Sequence, residues 1–163
     1  MTRALRDCCV AALGCAVLAA CTADRAAVPE SRESYQLSPA YAGDVGQAAA
    51  RTAVSLLGSP YRYGGRGPDA FDCSGLVYFS YQAAGLRVPR SSLAQFEATR
   101  PIALDQARAG DLVFFRYERK LSHVGIYLGE QRFIHAPSSG KAVSVASLRD
   151  PHYRDHFVGA GRF

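Results

Sequence analysis

The chain has 163 residues, 48% of them hydrophobic, with 19 Lys+Arg against 14 Asp+Glu and a formal net charge of +5. That apolar content supports a packed core and argues against a disordered chain. The positive excess is too small and too dispersed for a nucleic-acid surface, though it suits an anionic envelope polymer.

Residues 1–20 read as an export leader: Arg3 and Arg6 precede a nearly uncharged stretch too short for a comfortable membrane span. It ends in Leu18-Ala19-Ala20-Cys21, which is similar to the lipobox of bacterial lipoproteins. The resemblance implies cleavage before Cys21 and acylation of its sulfur, a membrane anchor in the bacterial envelope. Thr22 after the cysteine favours the outer membrane, facing the periplasm. Residues 21–43, rich in Ala, Pro, Ser and Glu without an apolar period, are expected to form the lipidated cysteine and its flexible tether. Residues 44–163 are then a single domain.

Within that domain Asp44 can cap a helix whose residues Val45, Ala49, Ala53, Leu56 and Leu57 recur at helical spacing and stop at Gly58. A loop dense in Gly and Pro, Ser59-Pro60-Tyr61-Arg62-Tyr63-Gly64-Gly65, comes next. A second helix runs from about Cys73 to Ala84 and stops at Gly85. A third begins at Ser91 or Ser92, with Ser92 and Gln95 spaced as a capping box, and ends before Pro101. Strands are expected at 112–116, 123–128, 132–135, 142–145 and 157–162. Helices first and strands afterwards argue for an α+β fold, N-terminal helices packed on a central antiparallel sheet.

Loss of the leader removes Cys8, Cys9 and Cys15, and acylation consumes Cys21, so Cys73 has no disulfide partner. Cys73 opens its helix, where unpaired backbone N–H groups and the dipole favour thiolate. Gly75 on the next turn would leave room for a substrate backbone. Two histidines follow on strands, His123 after the polar loop at 117–122 and His135 at the end of the next strand. His123 is therefore expected near solvent at a sheet edge. A three-residue connection at 129–131 sets Tyr127 opposite Phe133 and puts both histidines on one face; a two-residue connection separates them. Gly125 between them would leave space for rings or substrate. His152 and His156, flanking Asp155, have the spacing of a metal pair, but Pro151 and the surrounding charges favour a solvated loop or short helix. No metal or other cofactor is implied.

Five stretches occur in a recognisable order: Tyr61-Arg62-Tyr63-Gly64-Gly65, Phe71-Asp72-Cys73-Ser74-Gly75-Leu76-Val77, Pro89-Arg90-Ser91, Gly110-Asp111-Leu112-Val113-Phe114-Phe115 and His123-Val124-Gly125-Ile126-Tyr127-Leu128-Gly129. Together they resemble the NlpC-type cell-wall cysteine peptidases. The resemblance implies a papain-like fold with the nucleophile at a helix N-terminus, and hydrolysis of amide bonds in the stem or crosslink peptides of peptidoglycan. It also implies Cys73 as nucleophile, His123 as general base, His135 as the residue that orients it, and Tyr61 beside the oxyanion. Asp72, Ser74, Arg90 and Ser91 would line substrate subsites. The short lipoprotein layout looks most like the murein endopeptidases that cut D-alanyl–meso-diaminopimelate crosslinks, while relatives with an added SH3 domain tend to cut the γ-D-glutamyl bond. An amidase or acyltransferase using the same site, and a non-catalytic peptidoglycan-binding lipoprotein, are the competing readings.

Overall fold

The computed structural model describes residues 44–163. The expected leader, the tether and Cys21 lie outside the described residues. The elements are α1 (Val45–Ser55), α2 (Cys73–Ala83), α3 (Ser92–Ala98), β1 (Arg100–Ile102), a 3-10 turn (Leu104–Gln106), β2 (Leu112–Tyr117), β3 (Lys120–Gly129), β4 (Arg132–His135), β5 (Ser144–Ser147), α4 (Pro151–Arg154) and β6 (Phe157–Arg162). The six strands form an antiparallel sheet in the order β1-β6-β2-β3-β4-β5.

Alternation along the strands divides the core in two. On β2, Leu112 and Phe114 join Val124, Ile126 and Ile134 against the buried sides of α1 and α2. Val113 and Phe115 point the other way, to Tyr127, Phe133 and Leu148, with Tyr153 of α4 and Phe157 packed on them. Period-2 side-chain geometry thus supplies the central strands with an apolar layer on each face.

Asp44 caps α1, accepting from the Gly46 N–H at 2.8 Å. The buried face of α1 is Gln47, Ala49, Ala50 and Ala53, while Val45 stays 38% exposed. The helix ends at Ser55, and residues 56–58 form a turn into the left-handed Gly58 at φ +84°. Ser91, not Ser92, caps α3, its Oγ accepting from the Ala94 N–H at 3.3 Å. Gln95 makes no capping box. Its buried amide instead donates to the carbonyls of Ser74 (3.0 Å) and Pro89 (2.8 Å), tying α3 to the start of α2. Such a buried tie is invisible to a local spacing rule.

Of two short elements, β1 was not expected, while α4 is the short helix that was one of the two alternatives at Pro151. β1 pairs with β6 through Arg100 and Arg162, and α4 starts with Asp150 as cap and Pro151 in its first turn. Both are too short to carry a readable period. β5 also lies two residues later than the sequence suggests, because Ala142 instead bridges Pro60 and Val143 bonds the Gly58–Ser59 backbone.

Candidate functional site

The start of α2 is built by a carboxylate. Asp72 is the N-cap, and its Oδ1 accepts from the Gly75 N–H at 2.7 Å. Its Oδ2 accepts from the Gly64 N–H at 2.9 Å. Arg90 closes over both oxygens, Nη1 at 2.9 Å and Nη2 at 2.7 Å, and donates also to Ser74 Oγ (2.9 Å) and the Gly65 carbonyl (3.1 Å). Asp72 and Ser74 are buried. Paired, bidentate charges of this kind hold geometry more than they add stability. The clamp locks the tyrosine loop onto the helix start, where Arg62 N–H also donates to the Phe71 carbonyl at 2.9 Å.

Gly75 serves that closure and not an approaching substrate: a Cβ there would overlap the Gly65 carbonyl oxygen. Gly125 likewise makes room for Phe133, whose ring a Cβ at Gly125 would strike. In both cases the space is filled by the protein itself.

Cys73 is half-buried, and its thiol meets β3, donating to the Ser122 carbonyl with the sulfur 3.8 Å from the oxygen. The Val124 N–H points at the same sulfur, so Sγ lies against the backbone on both sides of His123. Burial pushes the thiol pKa up, and the Asp72 carboxylate pushes it the same way; the N–H groups of Val124, Ser74 and Cys73 oppose them and lose. The expected helix-start stabilisation of thiolate is present but outweighed, first by burial of the sulfur and then by the carboxylate at the same helix start. Both effects favour the thiol form.

The two histidines face each other. A two-residue turn, Glu130 (φ 51°) and Gln131 (φ 62°), joins β3 to β4, and a bulge between Tyr127 and Gly129 absorbs one residue. Tyr127 therefore pairs with Phe133, the register of a three-residue connection, and both rings fall on one face. His123 Nε2 stands 2.7 Å from His135 Nδ1, the rings edge to face with centroids 5.0 Å apart. Beyond them the Tyr153 hydroxyl lies 3.4 Å from His135 Nε2. When His123 carries its proton on Nε2, it donates to His135, which donates to Tyr153; Nδ1 of His123 keeps a lone pair for a base.

His123 is not near solvent at an edge. Residues 117–122 are no loop: Glu118 and Arg119 make a tight turn, β3 begins at Lys120, and His123 pairs Phe115 in the middle of the sheet at 8% exposure. Burial, and to a lesser extent the charge of His152, lower its pKa to about 4. Burial, His123, Lys141 and His152 lower that of His135 to about 3. Both rings are neutral at ordinary pH.

Tyr61 is half-buried on the Cys73 side; burial, then the charges of Cys73, Asp72 and Tyr63, raise its pKa and keep the phenol a donor. Ser91 is exposed and occupied as a cap. Among the described residues no group of three or more His, Cys, Asp or Glu converges to hold a metal ion. His156 Nδ1 instead bonds the His152 carbonyl at 2.7 Å, and Tyr117 stacks on both rings. Sequence reasoning missed Tyr153 and Lys141 as neighbours of the histidine pair. The Asp150-Pro151 helix start before Tyr153 was the available signal, but nothing local ties it to β4.

Residues 58–162 match the NlpC/P60 family. The chain belongs to that family. Among its NlpC/P60 relatives, murein DD-endopeptidase MepH of Escherichia coli is 38% identical over 115 residues, 67% of this chain and 42% of MepH. The bifunctional muramidase/DL-endopeptidase CwlT of Bacillus subtilis is 43% identical over 116 residues, 69% of this chain and 35% of CwlT. The chain thus spans well under half of either relative. Among solved structures, a similar-to-lipoprotein NLP/P60 protein of Staphylococcus aureus superposes with a TM-score of 0.66 at 37% identity, covering 72% of this chain and 41% of that one. The helices-on-sheet architecture described above is the NlpC/P60 fold.

Proposed function

We propose that this NlpC/P60 domain is a cysteine peptidase that hydrolyses amide bonds in peptidoglycan peptides, with Cys73 as nucleophile, His123 as base and His135 as its orienting partner. The observation that carries the reading is the thiol held against β3 on both sides of His123, whose far nitrogen is already engaged by His135. His123 Nδ1 takes the thiol proton as Sγ attacks the carbonyl carbon, and Tyr61 donates to the oxygen that becomes negative. Collapse breaks the C–N bond while the imidazolium gives its proton to the leaving amine. Water, deprotonated by His123, then hydrolyses the thioester. A resting neutral pair suits this sequence, since charge separates only as the new bond forms.

The bond we assign is D-alanyl–meso-diaminopimelate. MepH, named a DD-endopeptidase, is one of the two relatives described; CwlT is named a DL-endopeptidase, which makes the γ-D-glutamyl bond the rival. Asp72, Ser74, Arg90 and Ser91 act, in this proposal, by shaping the wall where the acyl part of the substrate rests. Cys21 carries the lipid that holds the protein at the outer membrane, facing the periplasm.

Digestion of a defined crosslinked muropeptide, with the fragments weighed, tests the reading. The wild-type chain should release two monomers whose masses sum to that of the dimer plus one water, and Cys73→Ala should release none while keeping its melting temperature. Hydrolysis by the alanine variant would exclude the mechanism. Labelling with a lipid precursor should be lost on Cys21→Ser.

A further inference from the structure

A cavity of about 310 Å³ opens beside the histidine pair, lined by His123 and His135, the phenols of Tyr117 and Tyr153, the imidazole of His152 and the ammonium of Lys141. Every one of these polar groups can donate, one is a fixed cation, and no carboxylate is among the lining side chains. Asp150, the acid whose charge reaches Tyr117 and Tyr153, is occupied as the cap of α4, accepting from the His152 N–H at 2.9 Å. Lys141 also connects the cavity to the nucleophile side, because its backbone carbonyl accepts the Tyr61 N–H at 2.9 Å.

We propose that this cavity holds a carboxylate of the substrate residue that supplies the leaving amine, with Lys141 and His152 as its cationic and hydrogen-bonding partners. The inference rests on the hydrolytic reading above. In that reading His123 protonates the leaving nitrogen, so the amine-side residue lies over His123. That ring lines the cavity, whereas Cys73, which keeps the acyl part, does not. A carboxylate on the carbon next to the nitrogen is then within reach of Lys141. Meso-diaminopimelate has that group. Lysine is the same molecule with the carboxylate replaced by hydrogen, so the site would discriminate between the two crosslink chemistries.

The electrostatics agree. The charges of Lys141 and His152 reach His135, and that of His152 reaches His123, each disfavouring protonation. A bound carboxylate offsets that repulsion when the imidazolium forms.

Two crosslinked dimers that differ only in carrying diaminopimelate or lysine at the cleaved bond supply the test. The wild type should favour diaminopimelate by about tenfold or more in kcat/KM, the scale of a charge-assisted contact. Lys141→Met should collapse the ratio, mainly through a higher KM for the diaminopimelate dimer, and Lys141→Arg should retain it. Equal rates on both dimers in the wild type, or equal losses in Lys141→Met, would overturn the assignment. Should neither dimer be cut, the hydrolytic reading fails separately. The cavity is then judged by titrating free meso-diaminopimelate, or 1,5-diaminopentane as the same chain without carboxylates, into the Cys73→Ala protein and following the His152 ring by NMR. Shifts with diaminopimelate alone uphold the site; equal shifts, or none, remove it.

Discussion

His123 Nε2 and His135 Nδ1, twelve residues apart in the chain, stand 2.7 Å from each other across the β3–β4 pair. The contact exists because a tight turn and a bulge together restore the register that puts both rings on one face. It fixes which nitrogen of His123 is left for chemistry.

Substitution of His135 should therefore act through orientation. His135→Ala leaves the His123 N–H without an acceptor in a buried site, and kcat should fall by about 10- to 100-fold with little change in KM. His135→Gln can accept at a similar position and should recover part of the loss. A KM effect of the same size as the kcat effect would place His135 in substrate binding instead.

The buried histidines also link stability to pH. Their folded pKa values, about 4 and about 3, lie below the ~6.5 of an unfolded histidine. Between those values the unfolded chain binds protons that the folded one does not, so stability falls as pH drops below about 6.5. The melting temperature should be several degrees lower at pH 5 than at pH 7.5. A double His123→Gln, His135→Gln variant should show a shallower slope; an equally steep slope would assign the effect to other groups.

Because burial and Asp72 raise the Cys73 thiol pKa, the resting protein should react slowly with iodoacetamide at neutral pH. The labelling rate should still be climbing above pH 9.0, the ordinary cysteine value. A pH-independent, fast reaction near neutrality would mean that a thiolate–imidazolium pair already exists at rest.

The Asp72–Arg90 clamp should matter more to folding than its charges suggest. Asp72→Ala leaves Arg90 without its carboxylate and strands the N–H groups of Gly64 and Gly75. Urea unfolding should show a loss of about 3 kcal/mol. Arg90→Met, which keeps the cap, should cost less. Equal small losses would show that water replaces these bonds freely.

Gly75→Ala gives a steric test of the same region. Its methyl group would meet the Gly65 carbonyl oxygen, so the tyrosine loop must shift away from the helix. Destabilisation on the order of 2 kcal/mol is expected, with activity lost beyond what stability explains; wild-type behaviour would mean the loop moves without consequence.

Much of the molecule was legible in the chain. Asp44 before an Ala-rich period, Gly85 after an apolar helix and the apolar runs at 112–115 and 124–128 are local signals, and a helix or strand formed at each, though β3 starts earlier, at Lys120. Cys73 at a helix start and two histidines on strands were legible for the same reason. What the chain could not reveal depends on partners far apart in sequence. The ladder neighbours of β3 bury His123, whose position next to charged residues reads as an edge. Burial, and after it the carboxylate of Asp72, raises the pKa of a thiol that its place on the helix alone would acidify. Gly75 and Gly125, readable as openings for substrate, are filled by Gly65 and Phe133. Local sequence determined the elements and the reactive residue types, because backbone propensity and periodicity act over a few residues. Only the tertiary structure decided their protonation and what each gap holds, because burial and charge are sums over neighbours from the whole fold.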